Sequence, residues 1–106
     1  MLDAQSLVLE LIRTLRPLCE GLQARSPGLA DQLRRAATSV ALNLAEGVRR
    51  TGRDKKRAYR IAAAEAQETK AALEVALAWG WLDEPALATA RVLADRVARV
   101  TFALAR

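Results

Sequence analysis

The feature of this 106-residue chain that most restricts its fold is an apolar repeat at steps of three and four residues, present in four successive segments. In the first segment the repeat consists of Leu7, Leu11, Leu15, Leu18 and Leu22. This spacing places apolar side chains along one side of an α-helix, whereas a strand would alternate at every second residue. Short breaks separate the segments, so the sequence predicts four amphipathic helices and no strand.

The predicted helices form one domain that spans residues 1–106. Their expected bounds are about 3–24, 28–47, 52–79 and 84–105. Amphipathic helices joined by short links pack as antiparallel neighbours that hide their apolar sides from water. The sequence therefore predicts an all-α fold, an up-down-up-down antiparallel four-helix bundle.

Turn-forming and capping residues define the expected helix ends. The predicted N-caps are Asp3, Ser26 and Asp83. Thr51 and Asp54 resemble a capping box for the third helix. We expect Gly47 to end the second helix in a left-handed conformation, and Pro17 to kink or end the first.

The inner sides of the last two helices follow from the same periodicity. For the third helix they are Ala58, Ile61, Ala62, Ala66, Thr69, Leu73, Ala76 and Leu77. For the fourth they are Leu87, Ala90, Leu93, Ala94, Val97, Val100, Thr101 and Leu104. Many of these are alanines, which favour helix and let helix axes approach closely.

The composition argues against an enzyme. The chain has no histidine, which removes Ser–His and Cys–His nucleophile pairs and the Glu-x-x-His pairs of di-iron bundles. We expect no cofactor and no metal, and we interpret Glu65, Glu68 and Glu74 as helix-surface partners of Lys70. The single cysteine, Cys19, is expected to be a small buried apolar residue.

Positive charge is concentrated in one segment, residues 49–60, which carries seven basic residues and one acidic residue. The other 94 residues carry ten basic and eleven acidic side chains. The basic residues are Arg49, Arg50, Arg53, Lys55, Lys56, Arg57 and Arg60. Clustered cations bind nucleic-acid phosphates without sequence specificity, so we predict a nucleic-acid-binding patch. A solvated loop that keeps the protein soluble is the alternative.

Tyr59 is the one aromatic residue of this segment. Single-strand binding usually needs several aromatic side chains for base stacking. Duplex or structured RNA therefore fits better, although both forms of nucleic acid stay open.

The second helix carries a polar stripe beside its apolar side. At 100° per residue its members share one narrow face: Gln32, Arg35, Ser39, Asn43 and Glu46. We interpret this stripe as a structural network that fixes helix register or a subunit interface. A ligand or catalytic site on Asn43 and Glu46 is the alternative.

Four apolar residues point to self-association. Leu9 and Leu42 lie opposite the inner stripes of their helices, and Trp79 and Trp81 add apolar area near the end of the third helix. Several exposed apolar residues together indicate a partner surface. We therefore predict an oligomer interface at these positions.

The expected location is the cytoplasm. The N-terminus lacks the pattern of a signal peptide, and one cysteine suits a reducing compartment. The longest uncharged run, Ala36 to Ala45, is far shorter than the ~18 residues of a membrane span. No membrane partner is expected.

The segment from Gln32 to Gly47, QLRRAATSVALNLAEG, resembles the signature of the 23S rRNA intervening-sequence protein family. Arg60-Ile61-Ala62-Ala63, Glu68 and Trp79-Gly80-Trp81-Leu82 resemble later parts of the family pattern. The sequence departs from that pattern at Ala41, where many members have proline, and at Ala64-Glu65, where many have Gly-Ser.

The resemblance implies a four-helix bundle and a ring-like homopentamer. It also implies a relationship to the accessory variability protein of diversity-generating retroelements, which binds nucleic acid and a reverse transcriptase. A reverse transcriptase or another protein is thus an implied partner.

Three functions stay open at this point. The first is a non-catalytic, oligomeric protein that binds the RNA or DNA backbone through residues 49–60. The second is a homo-oligomeric scaffold that binds an acidic protein. The third, a helix-turn-helix regulator, is the weakest, because the third helix offers few side chains that could read bases.

Overall fold

The computed structural model describes residues 3–106, which fold into four α-helices. The helices are α1 (Ala4–Gln23), α2 (Pro27–Arg49), α3 (Gly52–Ala78) and α4 (Glu84–Ala105). No strand occurs in this part of the chain. Each helix begins and ends within two residues of the bounds expected from the sequence.

The helices form a bundle in which each one packs against two others. α1 contacts α2 and α4, and α3 contacts the same two helices from the other side. Since successive helices run in opposite directions, the arrangement is the predicted up-down-up-down antiparallel bundle. One core runs through the bundle, and its largest fully buried side chains include Leu11, Leu33, Leu73 and Leu87.

Three of the four helices begin with the expected cap. The side chains of Asp3, Ser26 and Asp83 each accept a hydrogen bond from the backbone amide three residues later, at 2.7, 3.2 and 3.0 Å. The predicted capping box of α3 is wrong, because the Thr51 side chain makes no cap hydrogen bond. The backbone carbonyl of Thr51 accepts only the first helical hydrogen bond, from the amide of Lys55 at 3.4 Å, as the carbonyls of the other three N-caps do.

α3 ends in a turn that requires glycine. Gly80 has a φ of +73°, and its amide donates to the carbonyl oxygen of Leu77 at 3.0 Å. The amide of Trp81 donates to the carbonyl oxygen of Ala76 at 3.0 Å. This pair of bonds is a Schellman motif, which turns the chain back on the helix. Trp81 consequently packs against the core, while Trp79 stays outside.

Gly47 does not end α2, contrary to the sequence-based expectation. The helix continues to Arg49, and the positive φ values belong to Gly52 and Gly80 within residues 3–106. Gly47 is buried, and a Cβ added there would overlap the ring of Tyr59. The position therefore needs glycine for close packing of α3 on α2, because a side chain would displace the ring.

Two residues predicted for the core are exposed. Ile61 is 38% and Val100 36% exposed. Both positions lie at the edge of the apolar stripe of their helix, where the neighbouring helix does not cover them. The small residues Ala58 and Ala62 are buried on α3 and let its axis approach α2 closely.

Pro17 lies inside α1, which continues to Gln23. Of the two effects expected of this proline, a kink or an early end of the helix, the early end does not occur. A proline in a helix removes one backbone hydrogen bond, and packing of the remaining α1 stripe offsets that loss. None of the four helices combines the length and the apolar character needed to cross a bilayer.

Candidate nucleic-acid interface

The seven basic residues of the segment 49–60 lie at one end of the bundle, where α2 ends and α3 begins. Only Arg50 and Thr51 link the two helices, so the structure brings all seven residues to this end. Four of them lie on α3 at steps of three and four residues, opposite its buried side: Arg53, Lys56, Arg57 and Arg60. At 100° per residue these four share one outward face.

Two of the seven basic residues are held by their own chain. The Nε atom of Arg50 donates to Oε1 of Glu46 at 2.9 Å. The Nζ atom of Lys55 donates to the carbonyl oxygen of Gly47 at 2.6 Å and lies 5.3 Å from the centroid of the Tyr59 ring. Lys55 thus ties the last turn of α2 to the first turn of α3, and its role is structural.

The side chains of the other five basic residues have neither a hydrogen-bond partner nor an acidic partner in the part of the chain that the structure describes. Within residues 3–106 none of them forms a salt bridge, and all are exposed except Lys56, which is half-buried. We call them the free-cation group: Arg49, Arg53, Lys56, Arg57 and Arg60. Unpaired cations concentrated on one surface attract polyanions.

The start of α3 adds to the positive potential of this end. Without a side-chain cap, the first amides of α3 point outward with no side-chain acceptor within the described residues. A helix N-terminus carries about half a positive elementary charge. Asp54, in the first turn, is the one acidic residue between Arg49 and Arg60.

Tyr59 takes no part in the outer surface. Its ring is 9% exposed and packs against Gly47. Tyr59 therefore holds α3 to α2, and it offers no ring to a ligand.

The polar stripe of α2 consists of local pairs. Asn43 Nδ2 donates to the carbonyl and hydroxyl oxygens of Ser39 at 2.9 and 3.1 Å, and Arg35 donates to Oε1 of Gln32 at 2.7 Å. Like the bond from Arg50 to Glu46, these hydrogen bonds join residues three or four positions apart on α2 and its C-cap. They do not connect α2 to a neighbouring helix. A role of the stripe in a subunit interface stays a prediction.

One end of the stripe meets the basic patch in a groove between α2 and α3. The groove has a volume of about 300 Å³, and its lining includes Asn43 and Glu46 from α2 with Arg57 and Ile61 from α3. Both signs of charge line this groove, because Glu46 and Asp54 lie beside Arg50 and Arg57. Arg57 is thus the member of the free-cation group that borders the groove, while Arg53, Lys56 and Arg60 lie outside its lining.

The four residues predicted for an oligomer interface lie in two regions. Leu9 and Leu42 project from the outer sides of α1 and α2, and Leu42 is 65% exposed. Trp79 and Trp81 stack at the opposite end from the basic patch, with centroids 5.4 Å apart and planes 13° from parallel. Trp79 is 69% exposed, while Trp81 is half-buried in its own chain.

Sequence reasoning missed further exposed apolar residues. Val48 on α2 and Val92 and Phe102 on α4 are more than half exposed. Their positions on a helical wheel could have revealed Phe102 and Val92, which lie well away from the buried stripe. Val48 lies beside the buried stripe of α2, so its position on the wheel gave no sign of its exposure.

The carboxylates of α3 do not pair with Lys70 as expected. Lys70 instead donates to Asp95 on α4 at 3.1 Å, and Glu74 accepts from Arg91 on α4 at 2.8 Å. The interpretation as partners within α3 is therefore wrong for Glu74, because α4 offers the nearer cation. No three potential metal ligands cluster within residues 3–106.

Asp95 also accepts from Arg99 at 3.0 Å. The hydrogen bond from Lys70 and the charge of Arg99 lower the pKa of Asp95 below its usual value of 3.8. Burial raises the pKa of the Cys19 thiol, which lies in the core as expected, and the nearby Arg34 counteracts this shift in part. Cys19 is thus poorly suited to act as a nucleophile.

Comparison with known proteins extends these findings. The structure is similar to the crystal structure of a protein described as having unknown function, from the S23 ribosomal protein family of Bacteroides thetaiotaomicron. The TM-score is 0.87 at 19% sequence identity, and the alignment covers 98% of this chain and 99% of the other. This likeness concerns the fold. No curated protein sequence matches the chain significantly.

The sequence profile described as 23S rRNA-intervening sequence protein matches residues 2–103, which is nearly the whole chain. The match agrees with the signature in α2 and with the four-helix bundle. The chain therefore belongs to the 23S rRNA-intervening sequence protein family.

Proposed function

We propose that this protein is a non-catalytic, oligomeric four-helix-bundle protein of the cytoplasm that binds nucleic acid through the basic patch. The observation that carries the proposal is the free-cation group, five basic side chains at one end of the bundle that form neither a salt bridge nor a hydrogen bond within residues 3–106. Such a group binds phosphates by releasing counterions, without reading sequence.

Self-association strengthens the proposal. We propose that the exposed apolar residues Leu9, Leu42 and Trp79 contact further copies of the chain, in the pentameric ring that the family resemblance implies. Each copy would present one basic patch. Binding through several patches at once raises the overall affinity without any new contact.

A scaffold that binds an acidic protein is the second candidate. The same five cations favour it, because carboxylates also pair with arginine. A reverse transcriptase or another protein could bind beside nucleic acid, as the family resemblance implies. Nucleic acid is the better candidate because five cations without a salt bridge in residues 3–106 lie together here, whereas the centre of a protein interface is depleted of charged residues.

Salt dependence tests nucleic-acid binding. We expect a labelled duplex of about 12 base pairs, short enough to occupy one patch, to bind with a log–log salt slope of about −4 to −5. The affinity should then fall by several hundred-fold between about 50 and 200 mM salt. Fluorescence anisotropy measures both quantities.

A charge-matched pair of triple variants locates the binding surface. Changing Arg53, Arg57 and Arg60 to Gln should lower the affinity about 100-fold and reduce the slope by about three. Changing Arg13, Arg25 and Arg96 to Gln removes the same charge from exposed residues outside the patch and should leave affinity within about threefold. Glutamine is a good helix former, so both variants should keep their helix content.

Equal losses in the two variants would contradict a localised site. If wild-type protein binds no nucleic acid at low salt but retains an acidic protein in the same buffer, the scaffold candidate replaces this proposal.

Sedimentation tests the oligomer. We expect an assembly at micromolar concentration, and Leu42→Glu or Trp79→Glu should dissociate it without unfolding the bundle, because both side chains are exposed. A monomer of the wild-type protein at that concentration would contradict the proposed oligomer. Each protein molecule would then bind nucleic acid through one patch only.

A further inference from the structure

We infer that the free-cation group selects double-stranded nucleic acid over single strands through contacts to phosphates. The inference rests on the proposed function and specifies the form of nucleic acid that this surface accepts. Three properties of the surface lead to it: the fixed backbone that carries the cations, the lack of a stacking ring in the patch, and the dominance of charge over other polar groups.

The four free cations of α3 form a row on a rigid helix backbone. They occupy the first two and a half turns, roughly, of a continuous 27-residue helix. Arg53 and Arg60 are seven residues apart, which corresponds to about 10 Å along the helix axis. The packing of Tyr59 on Gly47 and the bond from Lys55 to the same residue hold this part of α3 against α2.

A duplex fits a row of cations on a fixed helix backbone better than a single strand does. About 10 Å of duplex carries roughly six phosphates, whereas the same length of one strand carries about three. The phosphates of a duplex are already fixed in space. A flexible single strand loses conformational entropy when it is ordered on a rigid surface, and only other contacts can offset that loss.

Base stacking is the contact that usually offsets this loss, and the patch has no ring for it. Single-strand binders stack successive bases on aromatic side chains. Tyr59 is buried, and the exposed Trp79 lies 19 residues beyond Arg60, about 28 Å farther along the bundle. Phe102 on α4 is exposed, but it lies among Gln67, Lys70 and Arg106, outside the patch.

The row offers positive charge much more than it offers groups for base recognition. Of the uncharged polar groups beside it, Asn43 donates through its Nδ2 atom to two oxygens of Ser39, while the Thr51 hydroxyl makes no cap hydrogen bond. Phosphate contacts carry no sequence information, so the preference for a duplex should not depend on base sequence.

The test compares ligands with equal numbers of nucleotides. A duplex of about 12 base pairs and an unstructured strand of about 24 nucleotides, each as RNA and as DNA, are titrated by anisotropy at about 50 mM salt. We expect each duplex to bind at least about tenfold more tightly than its matched strand. The RNA and DNA arms show whether the shape of the duplex adds a further preference.

The triple variants show whether the preference for a duplex comes from the patch or from positive charge anywhere on the protein. With Arg53, Arg57 and Arg60 changed to Gln, the preference for the duplex should fall to less than about threefold. With Arg13, Arg25 and Arg96 changed to Gln, it should persist.

The outcomes are distinguishable. A single strand that binds as tightly as the duplex, or a preference that survives the patch variant, overturns this inference and leaves the proposed function standing. Absence of binding to all four ligands contradicts the proposed function itself.

Discussion

Basic residues have different roles at the two ends of α3. At its N-terminal end four cations face outward without an acidic partner within residues 3–106. Toward its C-terminal end the seam with α4 contains Lys70, Arg91 and Arg99, and each of these is paired with Asp95 or Glu74. The residue types are the same, and the neighbouring carboxylates decide whether a cation joins helices or remains available to a ligand. The charge of a segment thus indicates function only after its pairs are known.

Removing two cations from each region provides the strongest test of this contrast. We expect Arg53→Gln with Arg57→Gln to lower duplex affinity about 30-fold at about 100 mM salt. Arg91→Gln with Arg99→Gln removes the same charge from the paired region and should change affinity less than about threefold. Anisotropy titrations measure both. Similar losses in the two variants would mean that net charge, and not pairing, governs binding.

A side chain added at Gly47 should disturb the packing of α3 on α2, which holds the free-cation group in place. Gly47→Ala should lower the free energy of unfolding by about 1–2 kcal/mol, because the new methyl group overlaps the Tyr59 ring and overpacking exceeds the gain in helix propensity. Gly21→Ala, in α1, meets no atom within 4 Å and should stabilise the protein by about 0.5–1 kcal/mol. Urea denaturation measures both, and equal effects of the two changes would rule out the close contact.

Two adjacent lysines allow the same contrast to be tested within one turn of α3. Lys55→Gln should lower the free energy of unfolding by about 1 kcal/mol, because it removes the charged hydrogen bond to Gly47, and should hardly change duplex affinity. Lys56→Gln should leave stability unchanged and reduce the salt slope by about one. The opposite pattern would show that Lys55, and not Lys56, faces the ligand.

The smallest effect is expected in the paired region as pH falls. The lowered pKa of Asp95 in the folded state means that its pairs stabilise the protein above the unfolded value of 3.8, and that this contribution is lost as pH falls through the lower folded value. Asp95→Asn should therefore lower the Tm slightly at neutral pH, and should match wild type near pH 2. Thermal unfolding followed by circular dichroism measures this difference. A constant difference at both pH values would contradict a role for the Asp95 charge.

The sequence predicted the helices and most of the core because both depend on local periodicity. Leu11, Leu33 and Leu87 lie at the centres of their stripes, and all are buried. Ile61 and Val100 lie at the edges, where burial depends on the neighbouring helix, and there the prediction was wrong. The position of the basic patch between two helices was equally predictable, because a short link keeps its residues together.

Four helices, their order, their approximate bounds and the cationic segment between the second and third could all be predicted, since apolar spacing, capping residues and charge are properties of the chain alone. Which cations are free became known from the packing of the helices. Lys55 donates a hydrogen bond to the carbonyl of Gly47. Lys70 and Arg91 each pair with a carboxylate on a neighbouring helix. Gly47 lies inside α2 and leaves room for the Tyr59 ring. Such contacts join residues that are distant along the chain or belong to different helices. They depend on the distance between two helices, and the periodicity of a single helix carries no information about that distance.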